Sequence, residues 1–181
     1  YIEGTPKASL FRRAGPDRLE VVGNVMGSRR RMAAAFGVSV ADVVEEYMRR
    51  TSTPQPIIEV PSEDAPVHEV VLQGDDIDLT KLHFHPQHEF DGGVYISSGI
   101  DYVIDPETGL SNVGCRRLML RDHRTMSPNA SAKSDLRGIY RKCVERGERL
   151  PVSFTIGAHP MDFMAAASRA TGDEVELIGA M

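Results

Sequence analysis

Apolar residues along the chain switch between two spacings, and the switch predicts the elements. Leu19-Glu20-Val21-Val22 reads as a short strand that ends at Gly23. Ser28 is placed to cap a short helix through Ala35, with Gly37 as its stop. Ser39 caps a second helix, and Asp42 three residues later completes an acidic form of the capping box. Val40, Val43, Val44 and Met48 fall on one face of that helix, which ends near Arg50. Thr51 to Pro56 is a Pro/Ser/Thr linker.

The second half is dominated by period-two runs. His68 to Leu72 reads as a strand, and Tyr95 to Ile104 as a longer one rich in β-branched residues. Asp105-Pro106-Glu107-Thr108-Gly109 is a turn by composition: proline presets φ, and glycine accepts φ > 0. Asn112 to Leu120 returns, making a hairpin of residues 94–120. Ser134 or Asp135 caps a helix that runs to Arg146 and closes at Gly147. Val152 to Ile156 is a strand after Pro151, and Pro160 opens a helix reaching to about Arg169. Glu174 to Ile178 reads as a last short strand. A strand so near the end wants a partner, which hints at further chain beyond Met181.

Composition narrows the class. The 181 residues are 41% hydrophobic and 26% charged, which is globular, and their net charge of -5 argues against a nucleic-acid footprint. The short basic run Arg29-Arg30-Arg31 reads as a solvated helix face. No apolar run approaches the roughly 20 residues that span a bilayer, so no membrane partner is expected. Cys115 and Cys143 match neither a zinc spacing nor a disulfide framework, which suits a cytoplasmic location.

Several residues could carry chemistry. His83 and His85 share a strand face near His88 and could hold a metal, or simply lead into a loop at Pro86. Asp91-Gly92-Gly93 is either an ordinary turn or a close backbone approach. Ser97, Ser98 and Gly99 leave room against the sheet for something bulky, or form an exposed hairpin face. Asn112 and Arg117 are five apart and so fall on opposite faces, unless the chain bends at Gly114. Asn suits a hard cation and Arg a carboxylate or phosphate, although Arg116 and Arg117 could also be a surface pair. Glu174 and Glu176 share a strand face and could bind a divalent metal or stay solvated.

In their order these segments resemble the UbiD family of decarboxylases. The resemblance rests on Val21-Val22-Gly23-Asn24-Val25-Met26-Gly27-Ser28, Arg31-Met32 and Phe36-Gly37-Val38, then Asp91-Gly92-Gly93-Val94-Tyr95-Ile96. It continues through Asp105-Pro106-Glu107-Thr108-Gly109 and Asn112-Val113-Gly114 with Arg117. It returns at Leu150-Pro151-Val152, at Ile156-Gly157-Ala158-His159-Pro160 and from Glu174 to Gly179-Ala180.

The resemblance implies an α+β fold: an N-terminal α/β portion over residues 1–66, then an incomplete split-β-barrel-like flavin domain over 67–181. It implies non-oxidative, reversible decarboxylation of an aromatic or α,β-unsaturated carboxylic acid with prenylated FMN, Mn2+ or a similar metal, and K+. A flavin prenyltransferase would supply the cofactor, and the full-length protein would be a homo-oligomer. Asn112 and Glu174 become metal ligands, and Arg117 the catalytic arginine that holds the substrate carboxylate. Cys115, Arg116 and Arg117 line the cofactor with Asn112, and Ser97 sits near its ring system. Some relatives place a metal-binding histidine where an ungapped count gives Ala130, so Asn129 becomes a cofactor contact instead. The family's paired acids for the arginine and the proton would lie after Met181. The expectation is therefore a fragment or one part of a split enzyme, inactive alone. The alternatives are a non-catalytic flavin-binding subunit and a simple metal protein using His83, His85 and His88.

Overall fold

A computed structural model describes residues 7–15, 17–129 and 133–181. The chain opens with a hairpin of β1 (Ser9–Ala14) and β2 (Leu19–Gly23), followed by helices α1 (Arg29–Phe36) and α2 (Val43–Thr51). Short 3-10 turns carry it to a four-stranded antiparallel sheet in the order β5-β4-β3-β6. The strands are β3 (Tyr95–Ile104), β4 (Ser111–Leu120), β5 (Met126–Pro128) and β6 (Ser153–Ile156). Helix α3 (Asp135–Glu145) lies between β5 and β6 in sequence, and α4 (Pro160–Ala166) and α5 (Val175–Ala180) follow. Both sheets are open, so the fold is mixed α and β without a closed barrel.

Alternation along β3 and β4 builds the layers. Ile100, Val113 and Tyr102 face α4 and α5, packing with Ala166, Phe163, Val175 and Ile178. Val103 faces the other way and packs with Leu136 and Ile139 of α3 and with Leu150. A third cluster joins Ala33, Phe36 and Val43 to Met161 of α4, with Tyr47 and Met181 at its rim. The N-terminal helices are thereby docked on α4.

Local signals account for most ends. Gly37 takes φ 74 and receives the close of α1, as its lack of a Cβ permits. Ser134 caps α3 by accepting from the Arg137 N–H. The Asp105–Gly109 turn closes through the Gly109 N–H on the Asp105 carbonyl. Lys142 then pins it, 2.7 Å from Asp105 and 2.8 Å from Glu107. That ion pair, with the Glu107 N–H, holds the Asp105 carboxyl below its ordinary value.

Several expectations fail. The helix from Pro160 ends at Ala166, short of Arg169, and Ser28 precedes α1 without a side-chain capping bond. Ser39 does not open α2: its hydroxyl bonds Asp42, and the helix begins at Val43. Only Val43 of the expected apolar face is buried, because Tyr47 lies on its side and Val40, Val44 and Met48 are exposed. His68 to Leu72 form no strand: His68 ends a 3-10 turn, Val70, Val71 and Leu72 are exposed, and β propensity without a neighbour to pair with does not suffice. Glu174 to Ile178 is helical, with α5 starting at Val175. A short apolar run suits either state, and here the Asp173 and Ser111 oxygens take the Val175 N–H and set the turn. The linker after α2 runs against α5, the Gln55 N–H bonding the Glu176 carbonyl. A Cβ on Gly179 would stand 2.5 Å from the Gln55 oxygen, so only glycine fits there.

Candidate active site

The β3–β4 hairpin carries most of the chemistry. Its register is unbroken from Ile104↔Ser111 to Gly99↔Arg116 and then shifts, so Ser97 and Ser98 both stand opposite Arg117. The irregularity is a bulge in β3 and not the bend at Gly114 that the sequence allows. Asn112 and Arg117 consequently stay on opposite faces. Arg117, Cys115 and the bulge serines share one exposed surface, while Asn112, Gly114 and Arg116 share the other with Asp101. Asn129 is exposed at the end of β5, and Ala130 lies outside the described residues.

Asn112 meets Glu174 across 62 positions of sequence, its Nδ2 donating to Oε2 at 2.6 Å. The same Oε2 accepts the Val113 N–H at 2.8 Å. Beside it, Asp173 accepts from the Ser111 N–H and hydroxyl, and the Glu174 N–H donates to the Ser111 carbonyl. The Asp173-Glu174 corner thus covers the edge of β4 that β5, paired only at 118–120, leaves open. Glu176 is not part of this contact: the turn into α5 separates it from Glu174, contrary to the shared strand face.

Among the described residues, the buried side-chain polar atoms without a hydrogen-bond partner are Asp101 Oδ1 and Oδ2, Asn112 Oδ1 and Arg116 Nε. Asp101 (opposite Gly114), Asn112 and Arg116 lie on one face of two adjacent strands. Such groups are rare in native chains because each costs about 1–3 kcal/mol. Asn112 Oδ1 is an oxygen acceptor beside a carboxylate, a pairing that fits a hard divalent cation needing oxygen donors. No set of three or more His, Cys, Asp or Glu side chains gathers among the described residues, so any further ligand would come from elsewhere.

Asp101 is fully buried, and the sequence reading passed over it. Its signal was an acid inside the apolar run Ile100-Asp101-Tyr102-Val103. Burial pushes its carboxyl up, against the pull of Arg116 Nε at 3.4 Å; Glu174 adds to the rise. A carboxyl raised in the folded chain takes a proton more readily than in the unfolded chain. Its ionisation costs stability, nothing at acid pH and fully once pH passes the raised value. Asp101→Asn is expected to raise the melting temperature at neutral pH by roughly 2–4 °C, or about 1 kcal/mol. The gain should shrink toward about pH 4 as the native carboxyl protonates. A lower melting temperature for the variant at neutral pH would show that the Arg116 pairing outweighs burial.

Cys115 places its thiol 3.9 Å from the Phe163 carbonyl. Desolvation, then the Asp101 charge, holds that thiol above its ordinary value, so it is no ready nucleophile. Asp91 accepts the Gln87 and His88 N–H groups at 2.7 and 2.8 Å. Those bonds, His88 first, keep it ionised and make Asp91 the lock of its turn. The rings of His83 and His85 stack at 5.0 Å, and His85 bonds Gln87; the histidines do not converge with His88 as a metal cluster. An apolar hollow of about 120 Å³ between α1 and α4 is lined by Val25, Met32 and Met161 among others, none from the hairpin. No helix of the described residues is long and apolar enough to cross a membrane.

Comparison with known proteins adds to this geometry. Residues 58–181 match the 3-octaprenyl-4-hydroxybenzoate carboxy-lyase Rift-related domain, and residues 1–51 match the N-terminal domain of the same carboxy-lyase. A phenolic acid decarboxylase of Sedimentibacter hydroxybenzoicus is 31% identical over 185 residues, covering 96% of this chain and 38% of that protein. An anhydromevalonate phosphate decarboxylase of Methanosarcina mazei is 29% identical over 163 residues, covering 90% of this chain and 37% of that protein. The structure of the UbiD-class enzyme HmfF from Pelotomaculum thermopropionicum in complex with FMN superposes with a TM-score of 0.88 at 30% identity, covering 96% of this chain and 39% of that one. The chain therefore spans somewhat under two fifths of the length of these relatives. With both domain models matched along most of its length and the fold shared, the chain belongs to the UbiD family.

Proposed function

We propose that the chain forms the flavin- and metal-binding part of a UbiD-type carboxy-lyase. The reaction is non-oxidative, reversible decarboxylation of an aromatic or α,β-unsaturated acid. The observation that carries this is the Asn112–Glu174 pair with its orphaned amide oxygen. Prenylated FMN, when bound, would supply the electron sink. Asn112 Oδ1 and Glu174 would hold a divalent cation such as Mn2+ against its phosphate. Arg116 would line the same face; Ser97, Cys115 and Asn129 are proposed as further cofactor contacts on the strength of the family resemblance alone. Arg117, exposed above the bulge, would grip the substrate carboxylate through its fork and aim the bond to be broken. Potassium, supply of the cofactor by a flavin prenyltransferase, a homo-oligomeric full-length form and a cytoplasmic location belong to the same proposal through the family.

The test is FMN binding by the natural full-length protein, followed by fluorescence quenching with and without Mn2+. Mn2+ should tighten FMN binding, and Asn112→Ala should remove that tightening with a loss of about tenfold or more. FMN affinity indifferent both to Mn2+ and to Asn112→Ala would sink the site.

A further inference from the structure

We infer that Asp101 is a positioning residue that holds the Arg116 guanidinium flat across Gly114, on the face that carries Asn112. The inference rests on the proposed role of Arg116 at the flavin site and gives that role a cause.

Three observations support it. Asp101 and Gly114 are cross-strand partners, and Arg116 follows two residues along the same face. A Cβ on Gly114 would lie 2.8 Å from Arg116 Nη1 and 2.9 Å from Nη2, so the guanidinium occupies the space that any other residue would fill. Its Nε faces Asp101 Oδ1 at 3.4 Å, and its Nη1 donates to the Cys115 carbonyl at 3.1 Å. The head of a long, flexible side chain thereby meets an opposite charge at one nitrogen and a carbonyl at another. The anchor is a carboxylate whose oxygens have no hydrogen-bond partner among the described residues and no exposure to water. The arrangement leaves the guanidinium partly exposed, with donors to spare for an anionic group such as a phosphate. A buried acid that costs stability yet fixes one cation is better explained by orientation than by folding.

A double-mutant cycle in the natural full-length protein tests this, with FMN plus Mn2+ as the probe. Arg116→Ala should weaken FMN binding about tenfold, as for a lost charged hydrogen bond. Asp101→Asn should weaken it by roughly fivefold, with unchanged binding stoichiometry. The double variant should be no weaker than Arg116→Ala alone, because both remove one interaction. Gly114→Ala should reproduce the loss with Asp101 intact, by pushing the guanidinium aside. A purely structural role would lower the stoichiometry or the melting temperature and leave Kd alone. Native affinity for Asp101→Asn, or additive losses in the double variant, overturns the inference while Arg116 stays in the site. Native affinity for Arg116→Ala overturns Arg116's place in the site and the inference with it, whereas the Asn112 and Mn2+ result reports on the site separately.

Discussion

Arg117→Ala in the natural full-length protein is expected to lower kcat/KM for decarboxylation by about a hundred- to a thousandfold while flavin stays bound. The magnitude is that of losing a preorganised charged contact to the reacting group. The split between turnover and flavin binding follows from the strand: Arg117 and Asn112 lie on opposite faces of β4. Arg117 is also exposed, so its removal should alter stability by less than about 0.5 kcal/mol. Arg117→Lys keeps the charge but loses the fork, and should recover only a small part of the rate. CO2 release and flavin absorbance on the same samples give both readings. Unchanged turnover removes Arg117 from the chemistry. A native protein that holds flavin yet releases no CO2 from any aromatic or unsaturated acid would instead be a non-catalytic flavin-binding subunit.

Changing Glu174 should have a larger effect on the cofactor. Its Oε2 accepts from both Asn112 Nδ2 and the Val113 N–H, so Glu174→Ala orphans two donors. About 1–3 kcal/mol of stability should be lost even without metal. Glu174→Gln keeps an acceptor for those donors and should melt near the native temperature without metal. It lacks the charge that a divalent cation needs, so the rise in melting temperature on adding Mn2+ should vanish. Thermal melts of the three proteins with and without Mn2+ separate the two roles. A Glu174→Gln protein with a native Mn2+ shift would remove Glu174 from the metal site.

The hairpin was the most legible part of the fold. β3 runs from Tyr95 to Ile104 as read, the Asp105–Gly109 turn sits where proline and glycine place it, and Gly37 and Gly147 close their helices with φ 74 and 70. Each of these signals acts within a few residues. Other features escaped because their cause lies far along the chain. β1 has mixed polarity and exists by pairing with β2, and its Leu10 and Phe11 remain exposed. The bulge at Ser97 and Ser98 shows only in the pairing with β4. Glu174 was singled out, but on the wrong element.

Sequence left Asn112 and Arg117 on opposite sides only if β4 ran straight through Gly114; its period of two then allows no other arrangement, and the pairing with β3 shows that it does run straight. Sequence also placed the chain in its family, through ordered motifs that both domain models match. Tertiary structure decided what those residues meet. Contact with Ser111 made Glu174 the lead-in to a helix and set its carboxylate on Asn112. Strand pairing put Asp101 opposite Gly114 and within reach of Arg116. Local periodicity fixes the side to which a side chain points, but its partner is fixed by which distant segment gains most from covering that side.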